Sequence, residues 1–247
     1  MTLKRKNRKQ LLCAAIALLL CLVCAACGRT VPVYFDGERA LGIDVSSHNG
    51  EIDWEAVSKT DVQYAFIRVG YRGYGDEGVL AEDELAADNM TEAAKHDIPV
   101  GVYFYSQAVN EDEAREEAEF AVKAIRHHTI SLPVVIDIEY AHASDGSRTG
   151  RLYEAGLSAD EMAAICNAFA DVVRDAGYTP MVYSNSYIFT NHMNMEALDD
   201  DIQIWLADYN DSVTYSGAYQ FHQFTKQGQI DGINSKQVDL NYWYAES

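Results

Sequence analysis

From Leu41 onward, short apolar segments alternate with amphipathic helical patterns at a regular spacing, and this alternation leaves the chain few folds to choose from. Strand patterns occupy 41–46 (LGIDVS), 64–72 (YAFIRVGYR), 98–108 (IPVGVYFYSQA), 132–140 (LPVVIDIEY) and 179–185 (TPMVYSN). Between them, helical patterns at about 54–59, 82–96, 110–127 and 158–177 put charge on one face and Ala, Leu, Val or Phe on the other. Asp53, Asn110 and Ser158 stand where side-chain caps are needed, and Gly177 stops the last long helix. A shorter helical piece at about 186–198 is followed by three strand patterns separated by polar turns, at 202–210, 218–224 and 237–243. Alternating strands and helices favour a parallel sheet, and eight strands can close on themselves. The expected fold is α/β: an irregular TIM-like barrel of eight strands and about five helices, with the last helices missing.

The barrel is expected to fill residues 40–247 as one domain. Residues 1–26 read as an export signal, because basic MTLKRKNRKQ precedes the apolar run LLCAAIALLLCLVCAAC. Residues 27–39 then form a tether. Cleavage before Cys27 would expose that residue in a setting similar to a bacterial lipoprotein box, so Cys27 is the candidate lipid anchor, holding the domain on the outer face of the bacterial cytoplasmic membrane. Ordinary cleavage after Ala26 would instead release it; both routes export the domain. Three of the five cysteines lie in the leader, and Cys166 sits among apolar neighbours on a helix, as a small core residue would. The net charge is −19, and setting aside the five basic residues of the leader leaves −24 on the rest. Such a surface disfavours nucleic acid, which is bound through Lys and Arg. A monomer is expected.

Barrels of this kind do chemistry where strands run into their following loops. Four acids fall near such positions: Asp44 in GIDVSSHNGEIDW, Asp137 and Glu139 at the end of the fourth strand, and Asp239 in QVDLN on the eighth. Residues two apart on a strand face the same way, with Cα atoms about 6.6 Å apart. Two shielded carboxylates that close do not both ionise easily, so one retains a proton and can serve as general acid. Glu139, nearer the mouth, suits that role; Asp137, deeper, suits the charged one. Cleavage of a glycosidic bond by paired carboxylates fits this pattern better than an internal salt bridge or a divalent cation held by Asp44, Asp137 and Glu139. No metal and no cofactor are expected.

Aromatic side chains near strand ends supply stacking surfaces for sugar rings. The candidate substrate-binding residues are Tyr103, Tyr105, Tyr183, Trp205, Tyr209 and Gln223. His48, in the turn SSHNG, could also touch substrate.

The stretches GIDVSSHNGEIDW, FIRVGYRGYGDEG, VGVYFYSQAVNEDEA, LPVVIDIEY, GYTPMVYSN, IWLADYN and DGINSKQVDLNYW together resemble glycoside hydrolase family 25 lysozymes, in family order and over nearly the whole domain. The resemblance implies a barrel of eight strands and five helices that hydrolyses the β-1,4 bond from N-acetylmuramic acid to N-acetylglucosamine in peptidoglycan glycan strands. It matches Glu139 to the general acid and Asp137 to the carboxylate that assists the N-acetyl group or acts as second catalytic group. Asp44 and Asp239 match the acids that position substrate and water. Two positions depart from the family: His222 stands where Trp is common, which would alter sugar stacking, and Ile138 where an aromatic is frequent. The alternatives are a non-catalytic peptidoglycan-binding barrel and, more remotely, a chitinase-like glycosidase.

Overall fold

The computed structural model of the protein describes residues 39–244. The leader, the tether and Cys27 lie outside the described residues.

Eight strands close into a barrel: β1 (Arg39–Val45), β2 (Tyr64–Arg72), β4 (Val100–Ser106), β5 (Val134–Ile138), β8 (Pro180–Asn185), β9 (Gln203–Ala207), β10 (Phe221–Gly228) and β11 (Val238–Tyr244). The short β3 (Leu80–Glu82) adds to β2 outside the ring, and β6 (Ala141–His142) pairs with β7 (Arg148–Thr149) in a separate hairpin. Six α-helices are described: α1 (Trp54–Val57), α2 (Ala86–Lys95), α3 (Glu111–Ile125), α4 (Arg151–Glu154), α5 (Ala159–Asp175) and α6 (Ser186–Asn191). The expected 54–59, 82–96, 110–127 and 158–177 helices are α1, α2, α3 and α5. The expected 186–198 piece divides into α6 and a 3-10 turn at Met195–Ala197. Asp53, Asn110 and Ser158 cap their helices as their side chains suggest, and Gly177 takes φ +86° just past α5.

The closing strand corrects the expectation of a parallel sheet throughout. β11 runs antiparallel to both β1 and β10, whereas the other barrel neighbours are parallel. Only residues 229–237 connect β10 to β11. A link that short joins antiparallel neighbours, while a parallel return needs a crossover of a dozen residues or more. Asp239 therefore lies at the start of its strand, and reversal of the strand is what brings it to the same mouth as Asp44, its register partner.

Alternation along the strands sorts side chains into two cores. Inward residues, among them Tyr64, Phe66, Tyr183, Trp205 and Phe221, fill the barrel itself. Phe66 stacks on Trp205 with centroids 4.5 Å apart, and Phe221 on Trp243 at 5.3 Å, so the barrel interior is packed and not a pore. Glycines make room for these rings: a Cβ on Gly42 would stand 2.2 Å from the Tyr64 ring, and one on Gly101 2.3 Å from Phe66. Outward residues such as Ile67, Val102, Ile136 and Leu206 pack beneath the helices, against a face of α3 built from Ala114, Ala118 and Ala121. Cys166 is fully buried on α5, where burial pushes its thiol pKa up and keeps it a core residue.

One buried ion pair clips this outer layer to the barrel. Arg72, at the end of β2, donates to Glu117 of α3 at 2.7 Å and to the carbonyls of Gly78 and Glu113 at 2.9 and 3.0 Å. Burial pushes Glu117 up to about 7 despite this cation. Arg72→Met should cost about 3–5 kcal/mol in urea unfolding at pH 8, since it leaves a buried carboxylate uncompensated. The loss should shrink below pH 6, where a protonated Glu117 needs no cation. A loss under about 1 kcal/mol at pH 8 would contradict the clip.

Candidate active site

The open end of the barrel carries a cleft of about 970 Å³ whose lining includes Asp44, Asp137, Glu139 and Asp239, the four acids singled out in the sequence. Asp44 faces Asp239 across the β1–β11 pair. Asp137 sits in register between Tyr105 of β4 and Tyr183 of β8. Glu139 stands one residue beyond β5, where the strand pattern ends and the chain turns toward the hairpin. Its backbone carbonyl accepts from Gln107 Nε2 at 3.1 Å. A second hollow of about 370 Å³, lined by Tyr187, Asp208, Tyr209 and Asn210 among others, shares Glu139 and His142 with the first. Glu139 therefore stands where two arms of one groove meet.

Crowding and burial raise every acid in the group. Asp44 and Asp137 are held well above the usual carboxylate range, first by burial and then by the neighbouring charges of Asp239 and Glu139 respectively. Glu139 is pushed up to about 7 and Asp239 to about 6, both chiefly by burial, with Lys226 pulling each back down. The sequence reading has Asp137 charged and Glu139 protonated; the free cleft instead favours protons on both. The reason is local: Asp137 is fully enclosed, and its Oδ1 has no hydrogen-bond partner to support a charge. Among the described residues no group of three or more His, Cys, Asp or Glu side chains is set to hold a metal ion.

Asp44 is the most firmly placed of the four. Its Oδ2 accepts from Gln223 Nε2 and from Asn241 Nδ2, both at 2.8 Å. Gln223 in turn accepts from the hydroxyls of Tyr183 at 2.8 Å and Tyr209 at 2.5 Å, and Asn241 accepts from Trp205 Nε1 at 2.8 Å. Three of the expected substrate-binding residues thus hold the floor and do not line either arm: Tyr183, Trp205 and Gln223 are buried beneath Asp44. The Tyr183 and Trp205 rings face inward and pack against each other, with Trp205 stacked on Phe66. Tyr103 and Tyr105 line the main cleft, and Tyr209 lines the second arm.

Two positioning residues escape the sequence reading. Asn241 lies two residues beyond Asp239 on the same strand, and the period of two that places both inward is the signal that could have found it. Gln107 has no such signal: it follows β4, is fully buried, and ties Glu139 to α3 and α4 through Glu117 and Leu152.

The remaining sequence features separate cleanly. His222 is buried with its ring on the outer side of β10, donating Nε2–H to the Asp208 carbonyl at 2.8 Å, so it stacks on no sugar. Ile138 also turns outward into the helix-covered core. His48 is exposed on the cleft rim. Asp208 is structural: its carboxylate accepts from Asn210 and Thr214, which hold it below the usual range. Arg68 is bound to Asp83, with the guanidinium 2.8 Å from the carboxylate.

A family model described as Glycosyl hydrolases family 25 matches residues 43–233. The autolytic lysozyme of Clostridium acetobutylicum is 24% identical over 201 residues, which is 81% of this chain and 54% of that protein. The chain thus spans about half the length of that curated relative. The solved structure of the modular autolysin LytC from Streptococcus pneumoniae, in complex with synthetic peptidoglycan ligand, is similar with a TM-score of 0.70 at 27% identity, over 86% of this chain and 48% of that one. A family 25 glycosyl hydrolase from Bacillus anthracis shares the fold, with a TM-score of 0.67 at 21% identity over 87% of this chain and 94% of that one. With the family model spanning well over half of its residues and the four acids gathered at one barrel mouth, the chain belongs to glycosyl hydrolases family 25.

Proposed function

We propose that the protein is a peptidoglycan hydrolase, an N-acetylmuramidase that cuts the β-1,4 bond between N-acetylmuramic acid and N-acetylglucosamine. The observation that carries this reading is Glu139: a carboxyl raised to about 7, standing where the two arms of the groove meet. A polymer lying along both arms has its scissile bond over that group. Glu139 gives its proton to the leaving glycosidic oxygen and, as the conjugate base, takes one from the water that completes hydrolysis. Asp137 offers Oδ1 to the acetamido N–H of the sugar being cut, which turns the acetamido oxygen toward the anomeric carbon. Asp44 and Asp239 set the field at the floor and orient water. Tyr103, Tyr105 and Tyr209 present faces to the sugar rings. The names of two relatives, an autolytic lysozyme and an autolysin solved with a peptidoglycan ligand, support the choice of substrate.

The same reading has the enzyme exported as a monomer and held at the outer membrane face through Cys27, where glycan strands are its partner. Release of reducing ends from purified peptidoglycan, followed from pH 4 to 9, tests the activity. The rate should fall as pH rises through about 7 and Glu139 loses its proton. Absence of reducing ends at every pH would leave a binding module in place of an enzyme.

A further inference from the structure

Arg148 stands apart from the other arginines near the cleft. Arg68 is paired with Asp83, Arg72 with Glu117 and Arg151 with Glu113, whereas no described carboxylate lies within ion-pair distance of Arg148. Its guanidinium makes no side-chain hydrogen bond among the described residues. It rests instead on aromatic faces, 4.0 Å from the centroid of Tyr187 and 5.6 Å from that of Tyr140. Together with Glu139, His142 and the two tyrosines, it lines the smaller arm of the groove.

The acids closest along the chain or within this arm are already committed elsewhere. Asp208 lines the same arm, but both of its oxygens are taken by Asn210 and Thr214. Asp145, in the turn between β6 and β7, accepts from the backbone and hydroxyl of Ser147. Burial and its acidic neighbours keep Glu139 largely protonated below neutral pH, so it offers Arg148 little charge. A guanidinium seated on a ring keeps its N–H edge for a further acceptor, and that edge matches a carboxylate in two-pronged fashion. Arg148 is exposed at the edge of this arm, and in a chain whose acids outnumber its bases two to one, 38 against 19, an unclaimed arginine there is positioned for an anion brought from outside.

We propose that Arg148, held by Tyr187 and Tyr140, is an anion-binding site of the smaller arm that takes a carboxylate carried on the glycan strand beside the scissile bond. The identity of the strand rests on the muramidase reading above. Its sugar backbone is neutral, and its negative charge sits either on the lactyl ether of muramic acid or on a peptide attached there. The ligand chemistry is the same for both, a carboxylate projecting from one sugar face.

The test uses the full chain with Glu139→Gln, so that soluble strands stay intact while Kd is measured by calorimetry. Three probes are compared: strands with peptide stems, strands trimmed by an amidase to free lactyl carboxylates, and trimmed strands whose carboxylates are capped as methylamides. Adding Arg148→Gln should raise Kd about 5- to 10-fold for a charged probe and leave the capped probe within about twofold. The difference should shrink between 50 and 500 mM salt, as an exposed charge contact does. A loss confined to stem-bearing strands assigns the carboxylate to the peptide; a loss on trimmed strands assigns it to the lactyl group. Equal losses on all three probes would make Arg148 a mere latch of the hairpin, and no loss on any would remove it from binding; either overturns the proposal. Reducing-end release by the chain with Glu139 intact is scored separately. No release alongside a preserved Arg148 effect would sink the hydrolase reading alone, and release without an Arg148 effect would sink this one alone.

Discussion

Glu139→Gln should lower peptidoglycan turnover by about 10²- to 10⁴-fold while the barrel stays folded, because an amide has no proton to give a leaving alkoxide. Retention of more than about a tenth of the wild-type rate would contradict the general-acid role. The same substitution should change stability in the opposite sense. Glu139 is raised to about 7 in the folded protein, against about 4.3 in an unfolded chain. Between those values the folded state holds a proton that the unfolded state has released, so this group contributes most to stability at low pH. That contribution is lost as pH climbs from about 4 through about 7. Glutamine does not titrate. The variant should therefore match wild type near pH 4 and exceed it at pH 8, by on the order of 1–3 kcal/mol in urea unfolding. Stability unchanged at pH 8 would mean that the carboxyl is not strained by its site.

Asp137→Asn should be nearly as severe, with a loss of about 10²-fold or more in kcat, since in the proposed mechanism it replaces the acceptor for the substrate's N–H with a group that presents a donor as well. Its pH profile carries further information. Glu139 is raised by burial and by the charge of Asp239, while Asp137 is itself raised well above the usual carboxylate range, so asparagine at 137 removes little charge from beside Glu139. The alkaline limb of the remaining activity should therefore stay near 7. A limb moved clearly to lower pH would show that Asp137 carries charge when Glu139 titrates.

The positions of these acids could be read from sequence because two simple periodicities carry the information. Strand alternation puts Asp137 and Glu139 on one face, and βα alternation puts that face at a barrel mouth. Asp44 follows from the same argument. Asp239 reached the right place by a route the pattern does not encode: its strand is reversed, and strand direction depends on the length of the 229–237 link, not on side-chain periodicity. The aromatic residues divide for a related reason. Alternation tells which side chains point inward, but not how deep along the axis they sit. Trp205 and Tyr183 lie at levels filled by Phe66, while Tyr105 lies on the open cleft. Asn241 looks like an ordinary strand polar, and Gln223 like a substrate contact, until the fold brings both within 2.8 Å of Asp44 across β10 and β11. The one-turn α4 and the β6–β7 hairpin are too short for any periodicity to reveal, and the hairpin carries Arg148.

Long-range electrostatics were the least legible. Sequence spacing says that two neighbouring carboxyls compete for protons, but not that Asp239 faces Asp44 or that Lys226 stands near enough to pull both Glu139 and Asp239 down. Those contacts join residues nearly 200 positions apart for the Asp44–Asp239 pair, and only barrel closure creates them.

The most direct measurement is the identity of the new reducing ends. Purified peptidoglycan is digested with the full chain, reduced with borohydride and analysed by mass spectrometry. A muramidase leaves N-acetylmuramic acid at every new end, so the reduced products should terminate in N-acetylmuramicitol. Products ending in reduced N-acetylglucosamine, or no new ends at all, would contradict the assignment of the bond over Glu139.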